Sequence, residues 1–144
     1  MKKINKKGFT LVELLAVIVI LGVLLLIAVP SVTNIINNSK KKAFASAAKL
    51  MIENVESAAS IEKATGTISA CYVKIADINL ERGSKGTSPS GYINIDASGK
   101  GTIYYSDGTY KINGKKLDEV DGKVEKGPAT YNATGTQCTW YTNS

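Results

Sequence analysis

The fold of this chain is decided by its N-terminal stretch, which reads Met1-Lys-Lys-Ile-Asn-Lys-Lys-Gly8, then Phe9-Thr-Leu-Val-Glu13, then an uncharged segment from Leu14 to Val29. All sixteen residues of that last segment are apolar or glycine. A helix needs about 20 predominantly apolar residues to cross a bilayer, and lysines placed before such a span keep that end in the cytoplasm. The stretch therefore predicts a membrane-spanning helix whose C-terminal body faces outward.

Glu13 is the residue that an ordinary anchor does not need. A charged side chain costs roughly 2.5–3.5 kcal/mol at the centre of a spanning helix and less near its end, where it still requires a partner. A cut between Gly8 and Phe9 would create a cationic amine four residues before this carboxylate. The amine could pair with Glu13 on the same helix, or with Glu13 of a neighbouring copy. The second arrangement would use the charge to set the register of an assembly.

The segment Lys6-Lys7-Gly8-Phe9-Thr10-Leu11-Val12-Glu13-Leu14-Leu15 resembles the class III signal of type IV pilins and pseudopilins, and the resemblance extends over residues 1 to about 32. It implies a membrane prepilin peptidase that cuts after Gly8 and methylates the new amine of Phe9. It also implies that Glu13 is the assembly carboxylate, and that Gly22 and Pro30 occupy the helix-weakening positions.

Two other interpretations of the N-terminus are open. A conventional signal peptide could be cut near Ala28, but Glu13 is misplaced for that reading and the apolar pattern continues beyond the cut. A plain single-pass anchor is also compatible, because the 21 residues from Leu14 to Asn34 are uncharged.

The helix is predicted to continue from Phe9 to about Ser60, since apolar residues recur at helical spacing after Pro30. We expect a leader at residues 1–8, a membrane and filament-core helix at 9–33, an amphipathic half at 34–62 and a β-rich head at 63–144. The resemblance implies an α+β type IV pilin fold. In that fold the hydrophobic half of the helix protrudes, and the amphipathic half packs on an antiparallel sheet of about three to four strands.

The residues beyond Lys63 are rich in glycine, threonine, serine, tyrosine and asparagine, which predicts strands joined by tight turns. Alternation predicts strands at 92–96, 102–105 and 110–112, with a first strand at 68–75 and a helical turn as the alternative for 75–80. Positive-φ residues predict hairpin turns at 97–101, Asp107-Gly108 and Asn113-Gly114. Residues 81–91 are predicted to be a loop, 118–127 a charged excursion, and 131–141 a last strand or clamp.

Both cysteines, Cys71 and Cys138, lie in the outward-facing part. A disulfide would close a long segment and tie the tail to the start of the sheet, which we favour in an oxidising exterior, while two buried free thiols remain the alternative.

Other chemistry has little support in the sequence. The chain has no histidine, so a cysteine nucleophile lacks a base, and we expect no enzyme activity, no cofactor and no metal site. The acidic cluster within Asp118–Gly127 lacks the spacing of an EF-hand, and a solvated turn is favoured over calcium binding there. Eighteen basic and twelve acidic side chains become fourteen and twelve once residues 1–8 are removed, and this balance predicts no specific nucleic-acid binding.

The resemblance implies a pilin that waits in the cytoplasmic membrane with its N-terminus inside, and then polymerises with copies of itself into a surface filament for adhesion, motility or aggregation. The implied partners are the prepilin peptidase/methyltransferase, an assembly platform and an ATPase. The alternatives are a pseudopilin of a competence or type II secretion-like system, and a minor adhesive pilin.

Overall fold

A computed structural model describes residues 8–78 and 89–141. One long helix, α1 (Leu11–Thr65), is followed by a five-stranded sheet in which each strand pairs antiparallel with the next along the chain. The strands are β1 (Cys71–Lys74), β2 (Ser90–Ile95), β3 (Gly101–Ser106), β4 (Tyr110–Lys115) and β5 (Glu125–Lys126), with 3₁₀ turns at Ile75–Asp77 and Leu117–Glu119. This is the predicted α+β arrangement, and it is consistent with the pilin fold.

The chain divides into two units, Met1–Ser39 and Lys40–Ser144. In the first unit, α1 leaves every large apolar side chain from Leu11 to Ile36 at least 46% exposed. The second unit has its own hydrophobic core, because the later turns of α1 bury residues at helical spacing: Phe44, Ala45, Ala48, Met51, Ile52, Val55 and Ala59.

The core of the second unit is built from this helical stripe and from the inner face of the sheet. Strand alternation places Val73, Ile93, Ile95, Ile103 and Ile112 inside, each at most 1% exposed. The ring of Phe44 stacks on that of Tyr105, with centroids 4.6 Å apart and planes 2° from parallel. Glu56 fastens the helix to the sheet, since its Oε1 accepts the Gly101 N–H at 2.8 Å and its Oε2 accepts from Lys100 at 3.3 Å.

The prediction that Asn113-Gly114 forms a hairpin turn is wrong. Both residues lie within β4, at the point where its pairing with β3 shifts register between Ile103 and Tyr104. Gly114 has a φ of +61°, and the side chain of Tyr104 lies 3.2–3.3 Å from the position that a Cβ would occupy. Gly114 therefore lies at an irregularity within the sheet that requires a positive φ, as a hairpin turn also does.

In residues 8–78 and 89–141 the sheet has five strands, one more than the upper end of the predicted range, because Glu125–Lys126 pairs with β4 inside the charged excursion. A two-residue strand is too short for alternation to reveal. The first strand is shorter than predicted and runs only from Cys71 to Lys74, followed by the 3₁₀ turn. The predicted loop at 81–91 lies mostly outside the described residues, and β2 begins at its last two positions. Residues 131–141 form no strand, although Gln137 makes one isolated bridge to Tyr72.

Candidate assembly segment

The apolar part of α1 is the candidate assembly segment. Within the described residues, α1 is the one helix that is long and apolar enough to cross a membrane by length and composition. The described residues bury none of its side chains from Leu14 to Val29. Such a surface is stable only in lipid or against other apolar surfaces.

Two reciprocal hydrogen bonds define the start of this helix. Glu13 Oε2 accepts the backbone N–H of Thr10 at 2.9 Å, and Thr10 Oγ1 accepts the backbone N–H of Glu13 at 3.2 Å. Thr10 is thus the N-cap residue and Glu13 the third residue of the helix, an arrangement known as a capping box. The box satisfies two N–H groups that would otherwise lack a partner at the helix start.

The predicted cleavage site precedes this box. Gly8 and Phe9 have no helical structure, and the Phe9 side chain is 83% exposed. A Cβ placed on Gly8 would meet nothing within 4 Å. Among the described residues, none therefore obstructs access to the Gly8–Phe9 bond. The sequence prediction missed the role of Thr10, although Thr-x-x-Glu before an apolar run is the signature of a capping box.

Gly22 and Pro30 both lie inside α1, which remains helical through them. A proline at this position supplies no N–H for the helical ladder. Three residues later, the hydroxyl of Thr33 donates to the carbonyls of Val29 at 3.2 Å and Pro30 at 2.9 Å. Threonine hydroxyls bonded in this way locally perturb the helical hydrogen bonds. Thr33 is therefore a further residue at this weak point that sequence reasoning did not identify.

Comparison with known families agrees with this geometry, because residues 3–29 match the prokaryotic N-terminal methylation motif. The chain carries the class III signal peptide of type IV pilins and pseudopilins. The matched motif is one that marks pilin-like structural proteins, and the match covers residues 3–29 of this chain. It implies processing by prepilin peptidase and pilin assembly, and together with the apolar helix it is compatible with membrane anchoring before assembly. No solved structure matches the chain.

Outside the pilin-type signal, a disulfide joins Cys71 at the start of β1 to Cys138, with the Cα atoms 5.0 Å apart. Cys138 lies in the tail, which comprises the described residues 127–141 that follow β5. The bond resolves the choice left open between a bridge and two free thiols. Backbone bonds reinforce it, since the Tyr72 N–H donates to the Thr136 carbonyl at 3.0 Å and the Cys138 N–H donates to the Tyr72 carbonyl at 2.9 Å. The tail is thereby fastened to the first strand.

The beginning of the same tail is held by two serines that face each other across β2 and β3. The Ser90 hydroxyl donates to the Ala129 carbonyl at 2.9 Å, and the Ser106 hydroxyl accepts the Ala129 N–H at 3.2 Å. Both polar groups of Ala129 are thus satisfied by side chains of the sheet. Sequence gave no signal for this clamp, since it depends on strand register and on a residue 23 positions from the nearer serine.

Between these two attachments lies a row of four tyrosine rings. Tyr72, Tyr92 and Tyr104 stand on successive strands, and Tyr131 of the tail packs its ring against Tyr104 at a centroid distance of 5.9 Å. Burial, together with the neighbouring Tyr104, raises the pKa of Tyr92 above its usual value of 10.0. Burial and the charge of Glu125 also raise the pKa of Tyr131. The row packs the tail onto the sheet.

Three of the four acidic residues considered for calcium are engaged with other groups. Asp121 pairs with Lys49, and Glu125 pairs with Lys111 at 3.5 Å. Glu119 accepts the backbone N–H of Lys116 at 3.1 Å. In the described parts of the chain, no group of three or more carboxylate or cysteine side chains is arranged to hold a metal ion.

Proposed function

We propose that this chain is a structural subunit of a type IV pilus. It is stored in the cytoplasmic membrane with its N-terminus inside and its C-terminal body outside, and it is polymerised with copies of itself into a surface filament for adhesion, motility or aggregation. The observation that carries the proposal is the pilin-type signal at residues 3–29, which leads into a helical segment whose large side chains are all exposed.

The exposed segment gives the polymer its cohesion. Lipid covers the apolar side chains before assembly, and contact with the same segment of other copies replaces lipid in the filament. Leaving the bilayer exposes apolar surface at about 25 cal/mol per Å², so extraction needs an external source of energy. An assembly platform and an ATPase are the partners that would supply it.

Processing prepares the subunit for this step. Prepilin peptidase removes residues 1–8 by cutting between Gly8 and Phe9, and then methylates the amine of Phe9. The positively charged amine of Phe9 pairs with the Glu13 carboxylate of a neighbouring copy, so each carboxylate in the filament has one amine as its partner. Gly22 and Pro30 allow the helix between them to loosen when it passes from lipid to filament.

The test is the intact mass of the protein purified from its native cells. We expect a chain that begins at Phe9, carries one extra methyl group and lacks two hydrogens because of the Cys71–Cys138 bond. A chain that begins at Met1 or after Ala28 would contradict the proposal. Gly8→Val is the matched control, because the added side chain should block the cut and leave the full-length precursor in the membrane.

A second measurement separates a pilus from the short fibre of a competence or secretion system, which the same signal would equally support. Filaments are sheared from the cell surface and examined by electron microscopy with an antibody against the second unit. Long labelled filaments would support the pilus, whereas labelled protein confined to the envelope would favour the pseudopilin. Sparse label on abundant filaments would indicate a minor pilin.

A further inference from the structure

The capping box gives Glu13 a fixed orientation before any neighbouring copy is present. Its Oε2 accepts the Thr10 N–H at 2.9 Å, while its own backbone N–H is held by the Thr10 hydroxyl at 3.2 Å. The two bonds close a ring that involves both the backbone and the side chain of each residue. A glutamate held in this way points toward the N-terminal end of its helix, where the Phe9 amine appears after cleavage.

The box uses only part of the carboxylate. A glutamate carboxylate has two oxygens with about four acceptor sites, and the box occupies one site on Oε2. In the described residues, Oε1 accepts no hydrogen bond. The box also survives cleavage in principle, because the Thr10 N–H belongs to the Phe9–Thr10 peptide and not to the bond that is cut. The oriented carboxylate therefore keeps capacity for a second, cationic donor.

We propose that Thr10 is a positioning residue for assembly: its hydroxyl holds the Glu13 N–H and so keeps the box closed, and in the closed box the Thr10 backbone N–H holds the Glu13 carboxylate in the conformer that receives the amine of a neighbouring copy. The inference rests on the proposed function and adds a residue to it. Fixing a long side chain in advance removes a cost that would otherwise be met when two subunits join. Thr10 thus acts through Glu13, and the proposal requires no contact between Thr10 and the neighbouring copy.

Three substitutions separate this role from the charge itself. Thr10→Val keeps the branched shape and removes the hydroxyl, so the Glu13 N–H loses its acceptor. Thr10→Ser keeps the hydroxyl and is the matched control. Glu13→Gln keeps an oxygen that can accept the Thr10 N–H and removes the charge, since glutamine also serves in a capping box.

Each variant of the full-length precursor is expressed as the sole copy in the native cells. Cleavage and methylation are followed by intact mass, and assembly by the fraction of the protein in sheared filaments relative to the membrane pool. Hydrogen exchange at the Glu13 amide, measured on the precursor in detergent micelles, reports on the box directly.

We expect Thr10→Val to be cleaved normally, to exchange its Glu13 amide faster, and to lose about five-fold in assembled fraction, the order expected for ordering one long side chain. Thr10→Ser should assemble as the wild type does. Thr10→Val combined with Glu13→Gln should be no worse than Glu13→Gln alone, because the hydroxyl acts only through the charge. A merely structural helix cap would instead lower assembly equally in both backgrounds.

The proposed function stands if the wild-type chain is cleaved and assembled and the Glu13→Gln variant is defective in assembly. Under those conditions, four results would still overturn the inference. These are normal filaments from Thr10→Val, an unchanged Glu13 exchange rate, failure of Thr10→Ser to assemble, and an additive double variant. A wild-type chain that is never cut at Gly8–Phe9, or that is absent from sheared filaments, would instead overturn the proposed function, and the inference with it.

Discussion

Removing the Cys71–Cys138 disulfide should strongly destabilise the second unit. The bond joins residues 67 positions apart in the sequence. In the chain-entropy description, closing a loop of that size lowers the entropy of the unfolded chain by an amount worth about 4 kcal/mol at 25 °C. Replacing both cysteines by alanine should therefore lower the free energy of unfolding by about 4 kcal/mol, which is a large part of the 5–15 kcal/mol typical of a domain.

The measurement is urea unfolding of the mature chain in detergent, followed by near-UV circular dichroism, because the tyrosines and Trp140 lie in the second unit. Reduced wild type is the matched control and should unfold as the double variant does. Each single cysteine substitution should lower the free energy of unfolding about as much as the double substitution does, because either one alone removes the whole disulfide.

The reasoning would be refuted by a loss below about 1 kcal/mol, which would mean that the unfolded chain is already restricted between these two positions. It would also be refuted by single substitutions whose losses add up in the double variant. In that case the side chains would contribute through separate contacts and not through one covalent link.

Three other changes probe the same unit. Glu56→Ala should lower the free energy of unfolding, measured with urea, by about 1–3 kcal/mol because it leaves the Gly101 N–H without its acceptor. Glu56→Gln keeps an acceptor and should lower it much less. Phe44→Ala should cost about 3–5 kcal/mol in the same assay, since the ring is buried and stacked on Tyr105; a loss under 1 kcal/mol would contradict that packing. The raised pKa of Tyr92 should make stability fall as the pH rises above about 10, where the unfolded chain ionises first, and Tyr92→Phe should reduce that fall in urea midpoints measured across this range.

The fold could be predicted from sequence where the signal is long and repetitive. The helical spacing that continues after Pro30 predicted that the helix extends into the second unit, and the buried positions at Phe44, Ala48, Ile52 and Val55 follow that spacing. The strand pattern around Ile93 and Ile103 was similarly clear, because one face of each strand is buried. In both cases a single physical constraint acts on many residues in succession.

Prediction failed where the deciding constraint involves few residues or residues far apart. Glu125–Lys126 is a strand only because β4 lies beside it, and no periodicity can show in two residues. The clamp on Ala129 depends on the register that brings Ser90 opposite Ser106, a property of the paired strands and not of either segment alone. Such features follow from tertiary structure, so a local pattern cannot identify them.

At the candidate site, the sequence identified the charge of Glu13 but not its first partner. The cost of a charge in a membrane points to a cation as the partner of the carboxylate, and it gives no sign of the neutral donor three residues away. The Thr10 N–H already gives the carboxylate one hydrogen bond within its own chain, so a neighbouring copy is not its only source of a donor. Two requirements are then separable: a hydrogen bond, which glutamine can also make, and a charge, which it cannot supply. An assembly that needs only the first would tolerate Glu13→Gln, whereas an assembly registered by the amine of Phe9 would not.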